Sequence, residues 1–191
     1  MPMLKALLCG AMSLAMMFGS STPALALSAY HHPLIELVKC MTGTGSAFRI
    51  AQFTYVSVHH VSRHKGCKIQ GQPLEVVHSS PELDFSIVAV DVPGRKGIPF
   101  SCDPLREGEW YWAVGHAKGN PVQRVVALRF LQYEDNDGMA IFAGFETVIP
   151  GMSGGAVLNA RGEAVATINA YSPFFGLSFG RALHHTELCN A

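Results

Sequence analysis

The sequence predicts an all-β protein made of two halves with six short strands each. Three observations carry that prediction. Runs rich in Val, Ile, Phe and Tyr recur between turn residues and lack the 3.6-residue period of amphipathic helices. The 191 residues include 19 glycines and 11 prolines and are 49% hydrophobic and 15% charged, a balance that suits a turn-rich β protein with a real core. The stretch 92–99 is crowded with Pro and Gly and has no apolar alternation, so it reads as a connection between two sub-domains, with a boundary near residue 100.

In the first half the expected strands are 34–39, 46–50, 54–58, 67–70, 74–77 and 85–90, most of them separated by Gly, Pro, Ser or His. In the second half they are 110–114, 124–131, 139–145, 156–158, 164–169 and 177–179, with turns such as Asn159-Ala160-Arg161-Gly162 between them. The halves share no sequence repeat, so at this level a pair of barrels rests on strand count alone.

The first residues read differently. Lys5 precedes an apolar stretch over 6–18, and Ala24-Leu25-Ala26 supplies the small-x-small site that a signal peptidase needs. The apolar run is short for a bilayer span, so a leader cleaved after Ala26 is expected, with no stable membrane span once it is removed. Cys9 lies inside the apolar run without a lipidation motif around it and leaves with the leader. Four cysteines remain, Cys40, Cys67, Cys102 and Cys189. An even number in an oxidising compartment favours two disulfides, and three pairings are open at this point. No two of them share a C-x-x-C spacing, which disfavours zinc. Lys plus Arg and Asp plus Glu number 14 each, so no net field would gather nucleic acid or anionic lipid.

The sharpest chemical signal is Pro150-Gly151-Met152-Ser153-Gly154-Gly155. Glycines on both sides of a serine let the backbone bend so that hydroxyl and amides face a cleft. Ser153 is the candidate nucleophile, and the N–H groups of Gly151 and Ser153 are the candidate oxyanion hole. Such a serine needs a base, and Val56-Ser57-Val58-His59-His60-Val61 places two histidines at the end of an expected strand. It also needs a carboxylate to orient the imidazole and stabilise its cation, and Asp84 opens the strand at 85–90. Each residue alone has an ordinary reading as a turn or surface residue. The order His, Asp, Ser, each beside a strand or glycine turn, makes catalysis the better one.

These residues resemble the trypsin-like serine protease family, nearest to its small HtrA-like bacterial and viral or phage branches. The likeness runs over most of 43–180. It is carried by Gly43-Thr44-Gly45-Ser46-Ala47-Phe48 with the His59-His60 segment, by Asp84 and the strand after it, and by 151–169. The resemblance implies two six-stranded antiparallel β-barrels of chymotrypsin-like type with the active site between them. The N-terminal barrel would occupy 27–100 and carry His60 and Asp84; the C-terminal barrel would occupy 101–191 and carry Ser153.

The family pattern places Ser or Thr three residues before the catalytic histidine, which selects His60 through Ser57. It implies backbone binding of substrate along Asn169, Ala170 and Tyr171. It puts Thr147, six residues before the serine, at the base of the primary specificity pocket, which would then be neutral and accept small or medium apolar side chains. By likeness to digestive relatives Cys40 pairs with Cys67, which leaves Cys102 with Cys189. In those relatives an aspartate just before the serine pairs with a newly cut N-terminal amine. Met152 stands there, so no activating cut is expected and the oxyanion hole must be held by other packing.

The function expected is an exported serine endopeptidase, secreted or periplasmic, acting on protein or peptide substrates through an acyl-enzyme without cofactor or metal. Oligomeric state is not legible. The alternative is a secreted protease-like binding module without activity. The α/β-hydrolase elbow also reads G-x-S-x-G, but it requires an acid and then a histidine after the serine, and no aspartate follows Ser153. The remaining histidines have no carboxylate or cysteine at ligand spacing and are expected at the surface or in packing.

Overall fold

The computed structural model describes residues 32–94, 96–134 and 136–190. The expected leader lies outside the described residues. Strands β1 (Ile35–Cys40), β2 (Gly43–Ala51), β3 (Thr54–Ser57), β4 (Lys68–Ile69), β5 (Gln72–Ser80) and β6 (Phe85–Val90) close into an antiparallel barrel in the order β1-β2-β3-β6-β5-β4. Strands β7 (Trp110–Gly115), β8 (Arg124–Tyr133), β9 (Met139–Ala143), β10 (Ala156–Leu158), β11 (Ala164–Ser172) and β12 (Leu177–Ala182) close into a second, ordered β10-β11-β12-β9-β8-β7. The expected all-β fold of two six-stranded barrels is the one observed. Closure removes the free strand edges that an open sheet would expose.

Strands of the first barrel look apolar at consecutive positions because both of their faces are covered. In β2 and β3, Ala47 and Tyr55 turn into a cluster with Val38, Ile69 and Val88, which fills the first barrel. The next residue of each strand, Phe48 and Val56, joins Phe85 in a different cluster, with Val114, Ala156 and Ala164 of the second barrel. The two-residue period of a strand thus feeds a barrel core and an inter-barrel core in turn. A fully buried Phe or Val contributes about 1.5–3 kcal/mol, so this shared cluster fixes how the barrels sit on each other. The second barrel is filled by Tyr111, Val126, Leu128, Phe130 and Phe142, with Met152 fully buried among them.

Disulfides join Cys40 to Cys67 and Cys102 to Cys189. The first ties the end of β1 to the chain leaving α1 (His59–Ser62), the single helical turn that follows β3. The second ties the connection between the barrels to the C-terminal turn α2 (Glu187–Asn190). Among the described residues no helix is long and apolar enough to cross a membrane.

Candidate active site

β3 ends at Ser57, and α1 begins two residues later, so His59 and His60 sit at the mouth of the first barrel. The helical turn packs on β2 where Gly45 stands: a Cβ there would lie 2.6 Å from both methyls of Val61. Asp84 enters from the other side, at the end of a turn closed by its own N–H on Pro81 O (3.2 Å). Its φ of 48° lies in the left-handed region, which Asp tolerates better than most side chains.

Of the two adjacent histidines, His60 faces Asp84. Its Nδ1 lies 2.8 Å from Asp84 Oδ2, and its backbone N–H donates to Asp84 Oδ1 (2.9 Å). His59 turns away, with Nδ1 2.8 Å from Ser79 Oγ on β5. Asn169 of β11 reaches across from the second barrel, and its Nδ2 donates to Asp84 Oδ2 and to Asp84 O, both at 3.0 Å. Arg181 of β12 donates from Nε to Leu83 O (2.9 Å), the carbonyl just before Asp84. Its backbone N–H donates to Asn169 Oδ1 (2.9 Å) and so fixes which end of that amide points at the acid.

Burial would raise the Asp84 carboxyl above its ordinary value. The hydrogen bonds from the His60 ring and backbone, the His60 charge and the Asn169 amide outweigh burial and hold it below that value. Asp84 is therefore an anion, the form that orients a neutral imidazole and stabilises its cation.

Ser153 lies in a turn between β9 and β10. Gly151 has φ 92° and Gly154 φ 83°, and a Cβ on Gly154 would meet Ser46 O at 2.1 Å, so the turn needs glycine there for both conformation and space. Ser153 and His60 line one cleft of about 390 Å³, together with Gly151, Asn169, Ala170 and Tyr171. The Ser153 hydroxyl donates to Asn169 O (3.2 Å), on the strand edge that forms one wall. Among the described residues, neither the Gly151 nor the Ser153 N–H has a protein acceptor; the intervening Met152 N–H donates to Ile149 O (3.1 Å).

No acidic side chain lines the cleft. Glu146 pairs with Arg124 at 2.7 Å and is not among the residues that line the cleft. Thr147, expected at the pocket base, is half-buried and does not line the cleft. Val148 does, and its N–H donates to the buried hydroxyl of Ser178 (3.1 Å). Among the described residues no group of three His, Cys, Asp or Glu side chains is placed to hold a metal ion.

Residues 44–166, well over half of the chain, match the family model of the trypsin-like peptidase domain. The chain belongs to that family. It is a serine endopeptidase by family. Solved structures with this fold include the Rv3671c protease of M. tuberculosis in its inactive form, with TM-score 0.70 and 16% identity over 83% of this chain and 86% of that one. The serine endoprotease from Yersinia pestis superposes with TM-score 0.67 and 17% identity, covering 78% of this chain and 58% of that one. The HtrA-type protease AlgW, solved with a tripeptide, superposes with TM-score 0.68 and 20% identity over 82% of this chain. The chain spans 57% of the length of AlgW. No curated protein matches this peptidase by sequence.

Of the residues that sequence reasoning selected, His60 and Ser153 line one cleft and Asp84 bonds to His60; it missed Arg181, and Ser46, whose hydroxyl donates to Gly151 O (2.9 Å) in the turn that carries Ser153. It assigned Asn169 to substrate alone, whereas its side chain serves Asp84. One signal was available for Ser46: a polar residue inside an apolar strand must find partners when buried.

Proposed function

We propose that this peptidase is an exported endopeptidase in which Ser153 attacks the substrate carbonyl, His60 is general base and then general acid, and Asp84 holds the imidazole. The reading rests above all on the bond between His60 Nδ1 and the Asp84 carboxylate, made at the rim of the cleft that Ser153 lines. A neutral imidazole whose Nδ1–H is given to a carboxylate presents Nε2 as an acceptor, which is the tautomer a serine nucleophile requires.

For attack the Ser153 hydroxyl leaves Asn169 O and turns to His60; such bonds are often made only once substrate is bound. The tetrahedral oxygen is then received by the unpaired N–H groups of Gly151 and Ser153. Collapse expels the amine with the proton from His60, and water repeats the cycle on the acyl-enzyme. Substrate backbone pairs along Asn169, Ala170 and Tyr171. Its preferred side chain before the cut is small or medium and apolar, because an acid-free pocket leaves a Lys or Arg head group desolvated without compensation. The leader at 1–26 and the two disulfides support export to an oxidising compartment.

The test is cleavage of a random peptide library by the exported protein and by its Ser153→Ala variant. Wild type should cut after apolar residues and the variant should not cut. Cutting by the variant would refute the nucleophile; dominance of Lys or Arg before the cut would refute the neutral pocket.

A further inference from the structure

Among the described residues, the nucleophile turn has two N–H groups without an acceptor while the carbonyls of residues 150–153 are all in use. Pro150 O accepts from Lys118 N (2.7 Å), Gly151 O from Ser46 Oγ (2.9 Å), Met152 O from Gly155 N (2.9 Å) and Ser153 O from Ser46 N (2.7 Å). In a planar trans peptide the C=O and the following N–H point in opposite directions. Tying down Pro150 O and Met152 O therefore aims the N–H of Gly151 and of Ser153 the other way. The two peptide planes that alternate with these, 151–152 and 153–154, have their carbonyls held by one residue, Ser46, and their N–H groups by Ile149 O (3.1 Å) and Ile168 O (2.7 Å).

Ser46 is on β2 of the first barrel and has no exposed surface. Its hydroxyl donates to Gly151 O and accepts from His116 N (2.8 Å), and its carbonyl accepts from Ser57 Oγ (2.9 Å). Every polar atom of the residue is used. His116 begins the loop that also supplies Lys118 N. Its ring is fixed in turn, with Nδ1 2.9 Å from Asn120 O and Nε2 3.2 Å from Ile35 O. The turn between these supports carries left-handed glycines at both ends, so its own torsional preferences hold it weakly. Met152, buried and apolar, offers no charge that could anchor it.

We infer that Ser46 is a positioning residue of this peptidase: by holding the carbonyls of Gly151 and Ser153 it fixes the planes on both sides of the Ser153 amide and the plane that follows the Gly151 amide, and so keeps both N–H groups aimed at the oxygen of the tetrahedral intermediate. This inference rests on the proposed Ser153 mechanism, and it concerns a residue on the opposite barrel that touches no substrate. Loss of the hydroxyl leaves Gly151 O and His116 N without a partner in a buried site, and plane 151–152 is then held only by the Met152 N–H on Ile149 O (3.1 Å).

The experiment compares wild type with Ser46→Ala and Ser46→Thr. For Ser46→Ala, kcat should fall about 10- to 100-fold, short of the roughly 10²–10³ of a deleted oxyanion donor, with KM for a peptide nearly unchanged. The inhibition constant of a peptide aldehyde, which forms the tetrahedral oxygen, should rise by the same factor as kcat falls, since the lost interaction exists only in that state. Ser46→Thr, which keeps the hydroxyl, should restore most of both. Hydrogen exchange of the amides at 151–155, read by mass spectrometry, should quicken in Ser46→Ala and not in Ser46→Thr, whether or not the protein turns over. Unchanged kcat, aldehyde affinity and exchange in Ser46→Ala would overturn the inference, as would equal loss in KM and kcat. An inert wild type whose exchange still responds to Ser46→Ala would refute the protease mechanism and leave the positioning of the turn standing.

Discussion

Asp84 and Ser153, the proposed acid and nucleophile, sit in turns on opposite barrels, and the two turns are held by opposite kinds of bond. At Asp84 the donors converge on the side chain itself: His60 N–H, His60 Nδ1 and Asn169 Nδ2 all end on its carboxylate, while Arg181 fixes the carbonyl before it. At Ser153 the supports end on main-chain carbonyls, and the chemically useful groups, the Gly151 and Ser153 amides, stay open. A carboxylate has to be kept charged, so it is saturated with donors. An oxyanion hole has to be kept unfilled, so everything around it is saturated instead. Both turns are held across the interface, Asp84 by Asn169 and Arg181 of the second barrel and Ser153 by Ser46 of the first. The shared cluster of Phe48, Val56, Phe85 and Val114 is therefore part of the machinery, since slippage there would loosen both turns together.

The most damaging way to break the acid side is Asp84→Asn. An amide cannot hold the required imidazole tautomer, and kcat should fall by about 10⁴ with the fold intact, as judged by the thermal midpoint. A fall of under tenfold would mean that the carboxylate is only structural. The matching insult on the nucleophile side is Gly154→Ala. Its Cβ would meet backbone at 2.1 Å in a left-handed conformation, so the protein should lose more than about 2 kcal/mol of stability in denaturant titration along with its activity. A stable, active variant would show that the turn can move, contrary to the clamp described.

Asn169→Ala sharpens the comparison by removing a single donor from the acid. Loss of that charge-assisted bond should lower kcat about tenfold, equivalent to ~1.4 kcal/mol. It should also move the Asp84 carboxyl back towards its ordinary value. The smallest effect concerns stability and pH. Because the folded state holds the Asp84 carboxyl below its unfolded value of about 3.9, its contribution is complete above that value and is lost as pH falls through the folded one. The drop in thermal midpoint on acidification below about pH 4 should thus be shallower in Asp84→Asn than in wild type. Equal slopes would mean that Asp84 is not held as described.

Much of this fold was legible because each strand is short, apolar and bounded by turn residues: 85–90 and 156–158 were read with the bounds that β6 and β10 have. The misreadings have tertiary causes. β5 runs on through His78, Ser79 and Ser80, which locally look like a turn, because their backbones pair with Ile87, Ser86 and Phe85 of β6. β9 stops at Ala143, short of the expected 145, where Gly144 comes so close to β8 that a Cβ would lie 2.5 Å from Ala127 O, and Phe145 is left almost fully exposed. The candidate site residues were chosen by type and order. Their supports were not: Asn169 finds Asp84 across 85 positions and Ser46 finds Gly151 across 105, separations at which spacing carries no signal.

The central claim is that Ser153 is a nucleophile activated by His60. It is tested most directly by treating the exported protein with a fluorophosphonate and locating the adduct by peptide mass mapping. The expected result is one adduct, on Ser153, lost in His60→Ala and retained in His59→Ala, whose ring is turned towards Ser79. An adduct elsewhere, none at all, or labelling of Ser153 that survives His60→Ala but not His59→Ala would contradict the account.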